Sequence, residues 1–183
     1  MFDSRVRQVL SAAGVDIGPL RLHAMSAPHP SIEKVAQALR AGGARGEVRR
    51  LADSTRTAQE AATALGVPVG AIVKSLVFTA DDEPVLVLAS GDHQVDTTKI
   101  AAALGAQRVT RADADTVRAA TGYPIGGVAP LAHPAPLRTL VDEHLSSYDV
   151  LWAAAGTPHA VFPTGYDELV RLTRGTPADV ADR

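Results

Sequence analysis

The 183-residue sequence has no cysteine. That absence excludes a disulfide framework, a thiol nucleophile and a Cys-ligated metal, and it fits a reducing cytosol, so a cytoplasmic location is expected. Positive charge is not in excess: 18 Lys and Arg stand against 20 Asp and Glu, a net charge of −2. A protein that wraps long nucleic acid carries a strong basic surplus, so DNA is not an expected partner and any nucleic-acid contact is local. No apolar stretch approaches the length of a membrane span, and a membrane partner is not expected either. The chain contains no G-x-S-x-G, no Walker A and no G-x-G-x-x-G. Its six histidines (His23, His29, His93, His133, His144, His159) show no i, i+4 pair and no ligand spacing. No metal and no cofactor are therefore expected. Lysine is scarce too: only Lys34, Lys74 and Lys99 among 18 basic residues. In a chain that otherwise uses arginine, each lysine invites a reason, because the two cations are not interchangeable.

What is present is an apolar fraction of 46%, enough for one globular domain with a sizeable core. Residues 3–13 carry Val6, Val9, Leu10 and Ala13 on one helical face, and the Gly/Pro-containing stretch to residue 30 reads as a linker. The expected organisation is an N-terminal helix and linker over 1–30 and a domain over 31–183. Ser31 is placed as the N-cap of a helix to Ala41, a strand is expected over Gly46–Leu51, and Thr57-Ala-Gln-Glu60 has capping-box spacing for a helix to Leu65. Ala71–Thr79 and Pro84–Ser90 read as a hairpin about the turn Asp81-Asp82-Glu83. Helices follow over 96–104 and from Asp113 to Gly122, with a short strand between them at Gln107–Thr110. Strands are expected at Leu137–Val141, Val150–Ala155 and Ala160–Phe162, and a last helix over Pro163–Arg171. The fold class is α+β: a mixed, mainly antiparallel sheet surrounded by helices, with a short N-terminal helical extension.

Two segments could carry chemistry. In Ile72-Val73-Lys74-Ser75-Leu76-Val77-Phe78, strand alternation puts Lys74 on one face with Ile72, Leu76 and Phe78, and Val73, Ser75 and Val77 on the other. A cation among large apolar side chains must be paired, line a wet cleft, or snorkel from the strand end. The loop Gly122-Tyr123-Pro124-Ile125-Gly126-Gly127-Val128-Ala129-Pro130 is either a turn-rich connection or a rigid bend presenting backbone amides to a carbonyl or phosphate oxygen. Ser54-Thr55-Arg56-Thr57 precedes a helix N-terminus, where it either caps the helix or binds an anion. Asp92-His93 and Asp142-Glu143-His144 are adjacent in sequence, which by itself makes no dyad.

Taken in order, Ser54-Thr55-Arg56-Thr57-Ala58, Gly66-Val67-Pro68, Ile72–Phe78, Ser90-Gly91-Asp92 and Gly122–Pro130 resemble the YbaK/aminoacyl-tRNA synthetase-associated domain family, over roughly residues 31–175. The resemblance implies a YbaK-like fold and a deacylase that removes a wrong amino acid from tRNA, chiefly the tRNA for proline, in translation quality control. The implied partners are the acceptor end of tRNA and prolyl-tRNA synthetase. The family's lysine falls on Lys74 and its Gly-x-x-x-Pro loop on Gly126–Pro130. The implied catalytic positions are thus Lys74 and Gly126. Thr55, Ser75, Gly127, Val128, Ala129, Pro130 and His159 are the implied substrate contacts. In related enzymes the 2′-hydroxyl of the tRNA helps to position the water, which accounts for the missing triad. Members acting on cysteinyl-tRNA tend to carry Ser and Asp in the stretch matching Ala154–Val161, where this sequence has neither and offers His159. The alternative readings are a non-catalytic module that binds tRNA or a synthetase, and a hydrolase of another small ester.

Overall fold

A computed structural model describes residues 29–52 and 54–182. The helix expected over residues 3–13 lies outside them. Helix α1 (Pro30–Ala41) has His29 as its N-cap, with the ring Nδ1 accepting from the Ser31 amide, so the cap lies two residues before the Ser31 expected from sequence. Strand β1 (Arg49–Arg50) is the remnant of the longer strand expected there. Helix α2 (Ala58–Leu65) starts from a complete capping box: the Thr57 side chain accepts from the Glu60 amide, and the Glu60 carboxylate accepts from the Thr57 amide. The central hairpin is β2 (Ile72–Ala80) and β3 (Glu83–Ser90). Its turn places both Asp81 and Asp82 at positive φ, which matches the twist of the two strands. Helix α3 (Thr97–Leu104), strand β4 (Val109–Arg111) and helix α4 (Ala114–Thr121) follow, the helices capped by Asp96 and Asp113. The chain ends with β5 (Arg138–Asp142), a 3-10 turn (Glu143–Ser147), β6 (Leu151–Ala154), β7 (Ala160–Thr164), α5 (Tyr166–Thr173) and β8 (Thr176–Ala178).

One sheet of order β1-β7-β6-β2-β3-β5-β8 organises these elements, with β4 also paired to β2. The pairings of β2 with β3 and with β4, of β6 with β7 and of β1 with β7 are antiparallel. Those of β2 with β6, β3 with β5 and β5 with β8 are parallel, so the sheet is mixed and mainly antiparallel, as expected. Both faces are covered. Val73, Val77, Leu86 and Leu88 pack with Val35 and Leu39 of α1, Val117 of α4 and Leu169 of α5. On the opposite face, Phe78, Val85 and Val87 pack with Ile100 and Leu104 of α3, and Ile72 packs with Ala61 and Ala62 of α2. Burial on both faces is what the unbroken apolar runs of β2 and β3 demand.

The expected helix at Pro163 is a strand instead. Pro163 pairs with Trp152 in β7, and α5 begins at Tyr166. A proline fits there because β1 contacts β7 only at Val161 and Ala160, so Pro163 needs no donor on that side.

Candidate active site

The sheet has a gap beside β2. On one edge β2 pairs with β3 throughout. On the other edge, Ile72 and Val73 pair with β6, and Phe78 to Ala80 pair with β4. Lys74, Ser75 and Leu76 have no strand partner on that side. A cleft of about 720 Å³ opens at the gap. Because it reaches the strand edge, side chains from both faces of β2, Lys74 and Leu76 from one and Ser75 and Val77 from the other, line it together.

The Val77 carbonyl accepts from the Ala112 amide on the gap side. Main-chain groups alternate in direction along a strand, so the N–H and C=O of Ser75 also point into the gap. The Ser75 hydroxyl is buried and is the only buried side-chain polar atom without a hydrogen-bond partner among the described residues. Buried hydroxyls are normally paired, so an orphan one lining a cleft is the feature a ligand would satisfy.

Lys74 is half-buried, and its ammonium donates to the main-chain carbonyl of His93. Burial lowers its pKa below the ordinary lysine value of 10.5; Asp92 and Asp142 oppose that shift, and Arg111 adds to it. Arg56 and Arg111 line the same cleft, which gives it a local basic rim in a chain of net negative charge.

The opposite wall comes from the glycine-proline loop. Gly126, at φ +84, and Val128 line the cleft. Gly126 lies against Arg56, with a Cβ position 3.7 Å from the Arg56 Cα. Gly127 is buried against Thr157, where a Cβ would stand 2.7 Å from the Thr157 Cα, and its amide donates to the Pro124 carbonyl at 3.0 Å. That amide closes the turn, so the donors left to a ligand on this wall are those of Gly126 and Val128. Tyr123 anchors the loop: fully buried, its hydroxyl lies 3.2 and 3.0 Å from the Leu131 and Ala132 carbonyls, and burial pushes its pKa up to about 12.

The structure therefore brings five of the residues proposed from sequence to one cleft: Lys74, Ser75, Thr55, Gly126 and Val128. Gly127, Ala129, Pro130 and His159 do not line it. Ala129 is fully buried, with its carbonyl 2.9 Å from His133 Nε2. Pro130 faces a separate hollow with Leu131 and Leu137, and His159 is exposed on the β6–β7 turn. Thr55 is itself tied down, with its amide and hydroxyl both donating to the Pro158 carbonyl.

Sequence reasoning missed a polar network at the cleft rim. Asp142, 1% exposed, accepts from the Ser90 amide at 3.0 Å and the His144 amide at 3.1 Å, and its Oδ2 stands 2.8 Å from His93 Nδ1. The Ser90 hydroxyl is 2.6 Å from Asp92 Oδ1. Burial pushes the Asp92 carboxyl up, but the Ser90 hydroxyl and the His93 and His144 imidazoles outweigh it and hold the pKa below the ordinary value. Nothing local in the sequence signals this network, since His93 and Asp142 lie 49 residues apart.

Residues 52–172 match the aminoacyl-tRNA editing domain. The chain belongs to that family. Among solved structures, the editing domain is similar to a candidate trans-editing enzyme for prolyl tRNA synthetase, at 42% identity and TM-score 0.80, covering 85% of this chain and 99% of that one. It is also similar to a hypothetical protein at 32% identity and TM-score 0.77, covering 81% and 99%. Curated relatives are proline--tRNA ligases. That of Desulfovibrio desulfuricans is 43% identical over 79 residues, 43% of this chain and 14% of the ligase. That of Latilactobacillus sakei is 37% identical over 84 residues, 46% of this chain and 15% of the ligase. This editing domain thus spans about a seventh of the length of those ligases. The family match begins at residue 52, yet Val35 and Leu39 of α1 are buried in the same core. No helix among the described residues is long and apolar enough to cross a membrane.

Proposed function

We propose that this chain is an aminoacyl-tRNA deacylase that hydrolyses the ester of a mischarged tRNA, the tRNA for proline carrying a small wrong amino acid. The observation that carries the reading is the sheet gap, where Lys74, the orphan Ser75 hydroxyl and the Gly126 bend share one cleft. The similarity to a solved candidate trans-editing enzyme for prolyl tRNA synthetase supports it. Prolyl-tRNA synthetase is correspondingly a candidate partner.

In this proposal the 3′-terminal adenosine of the tRNA acceptor end enters across the basic rim of Arg56, Lys74 and Arg111. The amides of Gly126 and Val128 donate to the ester carbonyl oxygen as water attacks and negative charge develops on it. The Lys74 ammonium supplies positive potential in a half-dry cleft, where a charge acts more strongly than in bulk water. Ser75 meets the aminoacyl group with its hydroxyl and main-chain N–H. Among the described residues no side chain in the cleft is arranged as a nucleophile with a base, so the attacking water is positioned by substrate, in keeping with the 2′-hydroxyl role implied by the family. The apolar walls from Val73, Val128 and Trp152 restrict the side chain admitted.

The test is a time course of amino-acid release from tRNA for proline carrying alanine, cysteine, serine or 2-aminobutyrate. Release of one or more small residues, with prolyl-tRNA left intact, supports the reading. A gel shift with tRNA and a flat time course on the whole panel would show a binding module instead.

A further inference from the structure

We propose that Asp92, His93 and His144 form a site for one divalent transition-metal ion of the zinc class at the rim of the cleft. One donor atom from each residue lies within 4.8 Å of the other two. They come from two separate segments, the turn after β3 and the 3-10 turn after β5. Two imidazoles and one carboxylate suit zinc and its neighbours better than magnesium or calcium, which prefer all-oxygen sites.

Three features mark the cluster as built. First, His93 Nδ1 is held 2.8 Å from the buried Asp142 carboxylate, which the Ser90 and His144 amides fix in turn. This carboxylate–histidine arrangement sets the tautomer and leaves Nε2 to ligate. Second, the Ser90 hydroxyl stands 2.6 Å from Asp92 Oδ1 and orients that carboxylate, leaving Oδ2 toward His144. Third, His144 Nε2 and Asp92 Oδ2 are 3.9 Å apart. That is too long for a hydrogen bond. Zinc bonds of about 2.1 Å in tetrahedral geometry separate their donors by about 3.4 Å, so a small side-chain rotation would let one ion bridge the two. The His93 and His144 rings lie stacked, 4.4 Å between centroids and 29° between planes, so the His144 ring must turn for the two in-plane lone pairs to meet at one ion. Asp92 is exposed, which leaves the remaining position to solvent.

The site would bear on the cleft in two ways: Asp92 itself lines it, and the main chain of His93 reaches Lys74. The His93 carbonyl accepts from Lys74, so an ion that fixes His93 also fixes the acceptor that aims the Lys74 ammonium. Metal binding itself does not depend on what the cleft hydrolyses.

The full chain, stripped of metal with a chelator, is titrated with ZnCl2 in competition with a chromophoric chelator. One equivalent binds. His144→Ala weakens binding by tenfold or more, and Asp142→Asn, which replaces one acceptor oxygen of the carboxylate that holds His93 and the Ser90 and His144 amides, weakens it about tenfold. Circular dichroism establishes that each variant is folded. Should Asp142→Asn fail to fold, His144→Gln, at a partly exposed position, carries the test. Absence of binding by the native chain, or one-equivalent binding of undiminished affinity in folded His144→Ala or His144→Gln, overturns the proposal.

Discussion

The Lys74 ammonium donates to the main-chain carbonyl of His93. The lysine of an apolar central strand is thus aimed by the turn that leaves the neighbouring strand. Burial of the stem and a carbonyl at its tip hold the cation at the gap between β6 and β4, where a partner strand would otherwise run.

Burial lowers the Lys74 pKa below 10.5. In the proposed role the protonated form attracts substrate, so raising the pH through the lowered pKa removes the attraction. The affinity for a non-hydrolysable amide analogue of aminoacyl-tRNA is expected to fall on the alkaline side with a midpoint below 10.5. Lys74→Met should bind weakly with no such transition. A midpoint at or above the ordinary lysine value, or the same transition in Lys74→Met, contradicts the assignment.

Ser75 should trade stability against activity. Its hydroxyl is buried and unpaired, which costs about 1–2 kcal/mol in the free protein. Ser75→Ala is therefore expected to stabilise the fold by about 1 kcal/mol in urea unfolding while raising KM for the charged tRNA. Loss of stability on this substitution would mean that the hydroxyl has a partner in the folded protein.

Gly127 tests the loop as a packing element. A Cβ there would meet the Thr157 Cα at 2.7 Å, and the obstacle is backbone that cannot rotate away. Gly127→Ala should lower stability by about 1–3 kcal/mol and displace the Gly126 wall, lowering Tm and kcat together. An unchanged Tm would show that the loop is free to shift.

Much of the fold was legible because its signals are local. The Thr57–Glu60 capping box, the Asp96 and Asp113 caps and the β2–β3 hairpin each sit within a few residues of sequence. Strand β8 was not legible: Thr176-Pro177-Ala178 has no alternating pattern and is a strand only because β5 offers it a parallel edge. Pro163 misled for a related reason, since only the short reach of β1 makes a proline acceptable in β7. The isolated lysine drew attention to Lys74, and the Gly/Pro density to the Gly126 bend. The sheet gap that lets Lys74 and Ser75 face one cleft from opposite sides of a strand depends on where β4 and β6 stop. The His93–Asp142 contact joins residues 49 positions apart, beyond any spacing rule that scans for helical or ligand motifs.

The central claim is that Lys74 and the Gly126 bend act on one substrate across the gap. The most direct measurement compares release of amino acid from mischarged tRNA for proline by the native chain and by Lys74→Ala under single-turnover conditions. The account predicts clear release by the native chain and a loss of about 100-fold or more in the variant, the scale of removing one preorganised electrostatic contact to a developing charge. Equal rates from the two folded proteins would contradict it.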